Sequence, residues 1–334
     1  MQARNQNQKY VIALAVSAAM TIAIAGTAAS LTGFQIVGKT VPFAYPWRLT
    51  ASDSVARLTA WLGYALHSVL AWSIIWRAQQ QKPRYQNSLR WFNFSMIAVH
   101  GSFAALHLLQ TRLFYDGLAQ DVPELTAQGS VALMLILILI METPRRGLIF
   151  GKKAAFKERF TRIVRKYHGY VFTWATIYTF WYHPTEGTWG HLLGFFYMFM
   201  LFAQSTFIFN RAHLNRWWTF SLEAFVLLHG VVVAIFQGNN LWPMFAFGFG
   251  AMIVLTQMYG LALSRWVRWL LTAGFALLVV TTYSSMGRLG AVNEVIRIPV
   301  VEYAVVGVLY GVFLAVEGGR RIFTRRSLGQ ASTD

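Results

Sequence analysis

Ten apolar runs of roughly 20 residues, joined by short polar connections, dominate this chain. They cover about residues 11–31, 55–77, 90–115, 125–143, 167–184, 190–210, 217–237, 240–264, 266–284 and 297–317. At about 1.5 Å of rise per residue, a helix of that length crosses the hydrocarbon core of a bilayer. In lipid the backbone groups of such a run must pair within the run itself, which a helix does. Composition agrees: 12% of the 334 residues are charged, against about 25% in a soluble chain. The expected fold is all-α, a polytopic transmembrane bundle of about ten spans forming one integral membrane domain over 1–334. The connections at about 33–54 and 143–166 are too short to bury cores of their own. The fourth run is the weakest, because its purely apolar part, Val131 to Met141, is short.

The basic residues orient the bundle. With the N-terminus inside, the inward segments are 1–9, 77–90, 143–167, 211–216, 264–268 and 318–334, and they hold 23 of the 29 Lys and Arg. The outward connections instead collect Asp53, Asp116, Asp121, Glu124, Glu186 and Glu294. Both termini are therefore expected inside, with 318–334 a basic cytoplasmic tail, in a multi-pass protein of the cytoplasmic membrane. The formal charge of +17 then reflects topology and contact with anionic lipid headgroups, not nucleic acid. Residues 1–32 read as a signal anchor, with cleavage near Ala-Gly-Thr-Ala-Ala-Ser the alternative. The aromatics of 41–48 suit the headgroup zone, and Gly307 with Gly311 form a GxxxG that predicts close helix packing. Cysteine is absent, which excludes disulfides, thiolate metal sites, a cysteine nucleophile and covalent c-type haem.

Five of the eight histidines, His168, His183, His191, His213 and His229, fall between Lys166 and Gly238, along with Glu223. Ionisable side chains inside spans are costly and point to function. Counting residues from the inner boundary puts His67 and His100 about 15 Å deep on consecutive antiparallel helices, where they can pair. His107, two turns beyond His100, shares an outer layer with His183 and His229, while His168 and His213 belong to the inner boundary and read as structural.

Three functional expectations follow. The first is a redox protein binding haem b through His67 and His100, with His107, His183 and His229 as an outer ligand set. Arg48, Arg57 or Arg112 would meet the propionates, and electrons would pass to or from quinone or a partner reductase subunit. The seven-residue spacing of His100 and His107 does not reproduce the paired-histidine helix of transmembrane cytochromes b. The second is a proton- or ion-coupled transporter built on Glu223; the structural alternative pairs Glu223 with His213, Arg211 or Arg216 at the inner boundary, and Glu302 would lie near the outer interface. The third is a membrane metalloenzyme acting on a lipid or apolar substrate, with zinc or non-haem iron on His183, Glu186 and His191. HExxH is absent, and so is a G-x-S-x-G elbow.

Overall fold

The computed structural model describes residues 2–38, 45–238 and 240–330, with side chains from residue 7 to residue 320 within those ranges. Among the described residues it is 79% helix with no strands. The helices are α1 (Gln2–Thr27), α2 (Ser54–Gln80), α3 (Trp91–Phe114), α4 (Glu124–Arg146), α5 (Glu158–Tyr182), α6 (Trp189–Thr206), α7 (Arg216–Gln237), α8 (Trp242–Leu255), α9 (Arg265–Ser285) and α10 (Arg297–Gln330).

Local chemistry sets several of the ends. Asp53 caps α2 by accepting from the N–H groups of Val55 and Ala56 at 2.8 and 3.0 Å. Asn215 does the same for α7 through Trp217 and Trp218. Gly238 ends α7 with φ +67°, a left-handed conformation that glycine adopts without a Cβ penalty. Helix α4 is full length despite its short apolar centre: it starts at Glu124 and continues through Pro144 to Arg146. The Lys/Arg-rich stretch before span five is partly helical too, since α5 begins at Glu158.

Among the described residues eight segments are long and apolar enough to cross a membrane. The two helices outside that set are α5 and α6. Helix α5 packs against α2, α4 and α6, and α6 packs against α1, α3, α5 and α7. Helices enclosed by other helices meet less lipid, so Thr, Tyr, Trp and His can replace aliphatic side chains there. At the rim the pattern reverses. Helix α9 buries only Val279 and Tyr283, while Trp269, Leu270 and Leu277 stand exposed, as expected of a lipid-facing helix.

The largest apolar core joins α2, α3, α5 and α6 with Ile24 of α1 and Tyr45. A second joins α1, α6 and α7, and a third joins α4, α8 and α10 with Phe160 of α5. Helix α1 belongs to this packing: Tyr10 stacks on Trp218 at 5.2 Å and donates its hydroxyl to the Ala212 carbonyl at 3.0 Å. The GxxxG of α10 does not make a close contact, for a Cβ built on Gly307 or Gly311 meets nothing within 4 Å.

Candidate functional site

The polar groups sit in separate layers. In the middle, His67 of α2 and His100 of α3 are both buried and joined directly, Nε2 to Nδ1, at 2.8 Å. Their tautomers follow from the ends of the chain. The Trp181 indole can only donate, and it gives its N–H to His67 Nδ1 at 3.3 Å. His67 therefore carries its proton on Nε2 and donates to His100 Nδ1. His100 in turn donates from Nε2 to Ser205 Oγ at 2.7 Å, and Ser205 donates to the Phe202 carbonyl at 2.7 Å. Every ring nitrogen is satisfied with both imidazoles neutral. Phe103 stacks on His67 at 4.6 Å and Phe202 on His100 at 4.3 Å. Gly63, one turn before His67, makes room for the indole, since a Cβ there would lie 2.2 Å from the Trp181 ring.

The outer layer centres on Tyr45, one of the aromatics expected in the headgroup zone. Its hydroxyl lies 2.8 Å from His183 Nδ1 and 2.9 Å from His191 Nε2. Burial first, then the negative character of Tyr115, Tyr182, Glu124 and Glu186, holds that hydroxyl well above the usual phenol range. It thus remains a phenol, donating to one imidazole and accepting from the other. His191 also meets the Thr188 hydroxyl at 2.7 Å, and Trp47 stands edge-on to it at 4.6 Å. His107 Nε2 donates to the His183 carbonyl at 2.8 Å, so it supports the backbone and not the neighbouring ring. Glu186 accepts from the Tyr115 hydroxyl at 2.5 Å. His229 packs against Gly194, where a Cβ would lie 2.8 Å from its ring, and its buried Nδ1 has no partner.

The third layer was the least visible in sequence. Arg146, expected in the inward loop, ends α4 and is buried against Glu223 of α7. One guanidinium nitrogen, Nη1, donates to both carboxylate oxygens, at 2.8 and 3.0 Å. The side chains are 3% and 5% exposed. Glu223 therefore pairs with Arg146 and not with His213, Arg211 or Arg216. Glu302 is also displaced from expectation. It is buried, and it lines a cavity of about 10 Å³ together with Arg146, Glu223 and Gln257. The neighbouring Tyr303 donates to the Leu148 carbonyl at 2.8 Å, which fixes this part of α10 beside the end of α4, away from the outer interface. Arg146 Nε and Gln257 Oε1 are buried without partners. The space matches roughly one water.

The donor sets fit neither expected cofactor. Imidazole nitrogens lie about 2 Å from a bound metal, so a bis-histidine haem separates its two nitrogens by about 4 Å, with the macrocycle between. His67 and His100 are in direct hydrogen bond, with Phe103, Phe180 and Phe202 packed round them. Haem b does not fit there, nor between His107, His183 and His229: the first two rings serve different partners, and the third packs on Gly194 with its Nδ1 unpaired. Of the expected propionate ligands, Arg112 donates to Thr185 and to the Ile24 carbonyl and Arg57 pairs with Asp121, while Arg48 keeps a buried Nε without a partner. Zinc or non-haem iron on His183, Glu186 and His191 fares no better, because Tyr45 takes both imidazoles and Tyr115 takes the carboxylate. Among the described residues no group of three or more His, Cys, Asp or Glu could hold a metal ion. A scan of protein-family models gives no match, and searches of the curated proteins and of the solved structures give none either.

Proposed function

We propose that the chain is a multi-pass transporter of the cytoplasmic membrane, coupled to protons through Glu223 and Glu302. In this reading α1–α10 all cross the bilayer, both termini face the cytoplasm, and α1 stays in the bundle as a retained anchor. The placement of 23 of 29 basic residues on the inward segments supports the orientation. The single observation that carries the function is the buried group Arg146–Glu223–Glu302, drawn from α4, α7 and α10. Inside a membrane domain such groups mark ion or proton pathways by default.

Charge counting gives the coupling. One guanidinium faces two carboxylates, so a neutral cluster holds one proton shared between them. When that proton leaves, the second carboxylate competes with Glu223 for Arg146, and α4, α7 and α10 no longer favour the same packing. Protonation thereby biases an equilibrium between two arrangements of these helices, which is what coupled transport requires. The test uses full-length protein in proteoliposomes on a solid-supported membrane, screened with a panel of solutes at an imposed pH gradient. Solute-dependent currents that follow the gradient, and that Glu223→Gln and Glu302→Gln abolish while the fold persists, are the expected result. Currents unchanged in both variants would overturn the reading. Reporter fusions at the two termini check the topology, both being expected on the cytoplasmic side.

A further inference from the structure

The inner end of the bundle holds a cavity of about 310 Å³ lined by α2, α4, α5, α6 and the segments at 82–85 and 208–213. Its volume is at the lower end of the range for small-molecule sites. Three properties describe what it accepts. The interior is apolar, with Ile75, Met134, Phe172, Leu201 and Phe202 among its walls. Lys82, Arg165 and Lys166 also line it, and no carboxylate does. Finally, His168 and His213 both line it, their rings in contact with centroids 5.9 Å apart.

The two imidazoles are prepared in the same way. His168 donates its Nδ1–H to the Arg165 carbonyl at 2.7 Å, and His213 donates its Nδ1–H to the Gln204 carbonyl at 3.2 Å. Each backbone acceptor fixes the tautomer, so each neutral ring keeps a lone pair on Nε2. No protein group takes either lone pair among the described residues. Around His213 stand His168, Arg165 and Lys166 of α5, Lys82 and Tyr85 of the α2–α3 connection, and Arg211 of its own turn; Glu142 of α4 is the acidic group that acts on His168. Burial first, then the His168 charge, holds His213 down to about 4, against the pull of the Gln204 carbonyl.

We propose that this cavity binds one amphipathic acid, its chain among the apolar walls and its acidic head at His168 and His213. One proton, the head's own O–H or one drawn from water where the head arrives ionised, ends on one Nε2 lone pair. The resulting anion then lies against an imidazolium and within the field of Lys82, Arg165 and Lys166, with no carboxylate lining the site to repel it. A neutral alcohol of the same length has the chain without the transferable proton. This site is separate from the Arg146–Glu223–Glu302 group, and its occupancy does not depend on proton-coupled transport.

The test is calorimetric titration of the full chain in nanodiscs of zwitterionic phosphatidylcholine, with laurate, dodecyl phosphate and dodecanol as probes. The expected result is one acid per chain, at least tenfold tighter than dodecanol. Laurate binding at pH 7 should take up close to one proton, read from the dependence of heat on buffer ionisation enthalpy. The double variant His168→Gln/His213→Gln should weaken the acids at least tenfold and remove the proton uptake, leaving dodecanol unchanged. Tighter laurate assigns a carboxylic acid, and tighter dodecyl phosphate a phosphate monoester. If that variant does not fold, Lys82→Gln/Lys166→Gln at the exposed mouth should still weaken the acids selectively. Equal binding of alcohol and acid, absence of proton uptake with laurate, or insensitivity of the acids to both double variants would overturn the proposal.

Discussion

Replacing Arg146 by Met isolates the energetics of the buried charge group. The substitution keeps the side chain's apolar bulk and removes the guanidinium that serves both oxygens of Glu223 at 2.8 and 3.0 Å. Breaking a buried pair from one side costs about 3–5 kcal/mol, because the remaining charge stays uncompensated. The penalty has a ceiling, since the orphaned carboxyl can take a proton from water instead. Against an ordinary carboxyl value near 4.3 and about 1.4 kcal/mol per pH unit, that ceiling is about 4 kcal/mol at pH 7 and under about 2 kcal/mol at pH 5.5. The cost must therefore shrink on acidification. Glu223→Met should cost less, about 1–2 kcal/mol, because Glu302 lines the same cavity and can receive the guanidinium. The double variant Arg146→Met/Glu223→Met should lie within about 1 kcal/mol of the parent. Reversible unfolding in mixed micelles at both pH values, followed by tryptophan fluorescence, measures all three. An Arg146→Met penalty below about 1 kcal/mol at pH 7, or one equal at the two pH values, would refute this account.

Two further outcomes concern the histidine layers, and a third a buried carboxyl outside them. His100→Ala leaves His67 Nε2–H and Trp181 in a chain that no longer ends on Ser205, and should cost about 2–3 kcal/mol in the same unfolding assay. His100→Gln, which keeps an acceptor and a donor, should recover part of that loss. Tyr45→Phe removes the hydroxyl shared by His183 and His191 at 2.8 and 2.9 Å, and amide exchange of residues 45–53 should accelerate while the buried ends of α2 and α3 stay protected. Asp116 lies in the connection after α3, with Oδ1 accepting from the Gly117 N–H and Oδ2 buried without a partner. Burial pushes its carboxyl up to about 7. A carboxyl raised in the folded state binds its proton more tightly there than in the unfolded chain, so stability falls as pH rises from about 4 through 7. Asp116→Asn should flatten that slope and stabilise the protein above pH 7, by up to about 4 kcal/mol.

The helices were legible because the signal is a long apolar run, and each of the ten runs has a helix at its place. The pairing of His67 with His100 followed from depth alone, since consecutive helices must return through the same layer. What depth cannot supply is rotation, and that is where the histidine assignments failed. His107 lies at the expected height but turns to a backbone carbonyl. The groups that reading the sequence missed share one trait: each sits where local cues have a simpler explanation. Arg146 follows Pro144, which reads as a helix end and a topological charge, yet α4 continues through it. Tyr45 sits in a short aromatic loop of the kind that marks the headgroup zone. Trp181 and Ser205 lie in aromatic-rich spans where neither stands out. Glu302 was misplaced because depth was counted from the start of the last span, whereas the preceding 3-10 segment Leu289–Ile296 already packs against α8.

The hydrogen-bond directions also decide which layers can exchange protons. From Ser205 the chain runs through His100 and His67 and stops at the Trp181 indole, which donates and cannot accept. Beyond it His107 meets Trp181 only through ring contact at 4.3 Å. The middle and outer layers are thus insulated from each other by one side chain, and no proton passes along the histidines from face to face. The middle layer is mutually satisfied, its donors and acceptors closed among α2, α3, α5 and α6. The Arg146 group is the opposite case. Its Nε and the Gln257 Oε1 are unpaired, two carboxylates share one cation, and it adjoins a space of about one water. A network with spare valence on helices α4, α7 and α10 can change its pairing, whereas the closed one on α2, α3, α5 and α6 cannot without losing bonds. Movement, if the chain performs transport, therefore belongs to α4, α7 and α10 against a rigid α2–α3–α5–α6 body, and amide exchange that quickens in α7 and α10 on Glu302→Gln, with α2 and α3 unchanged, is the corresponding observation.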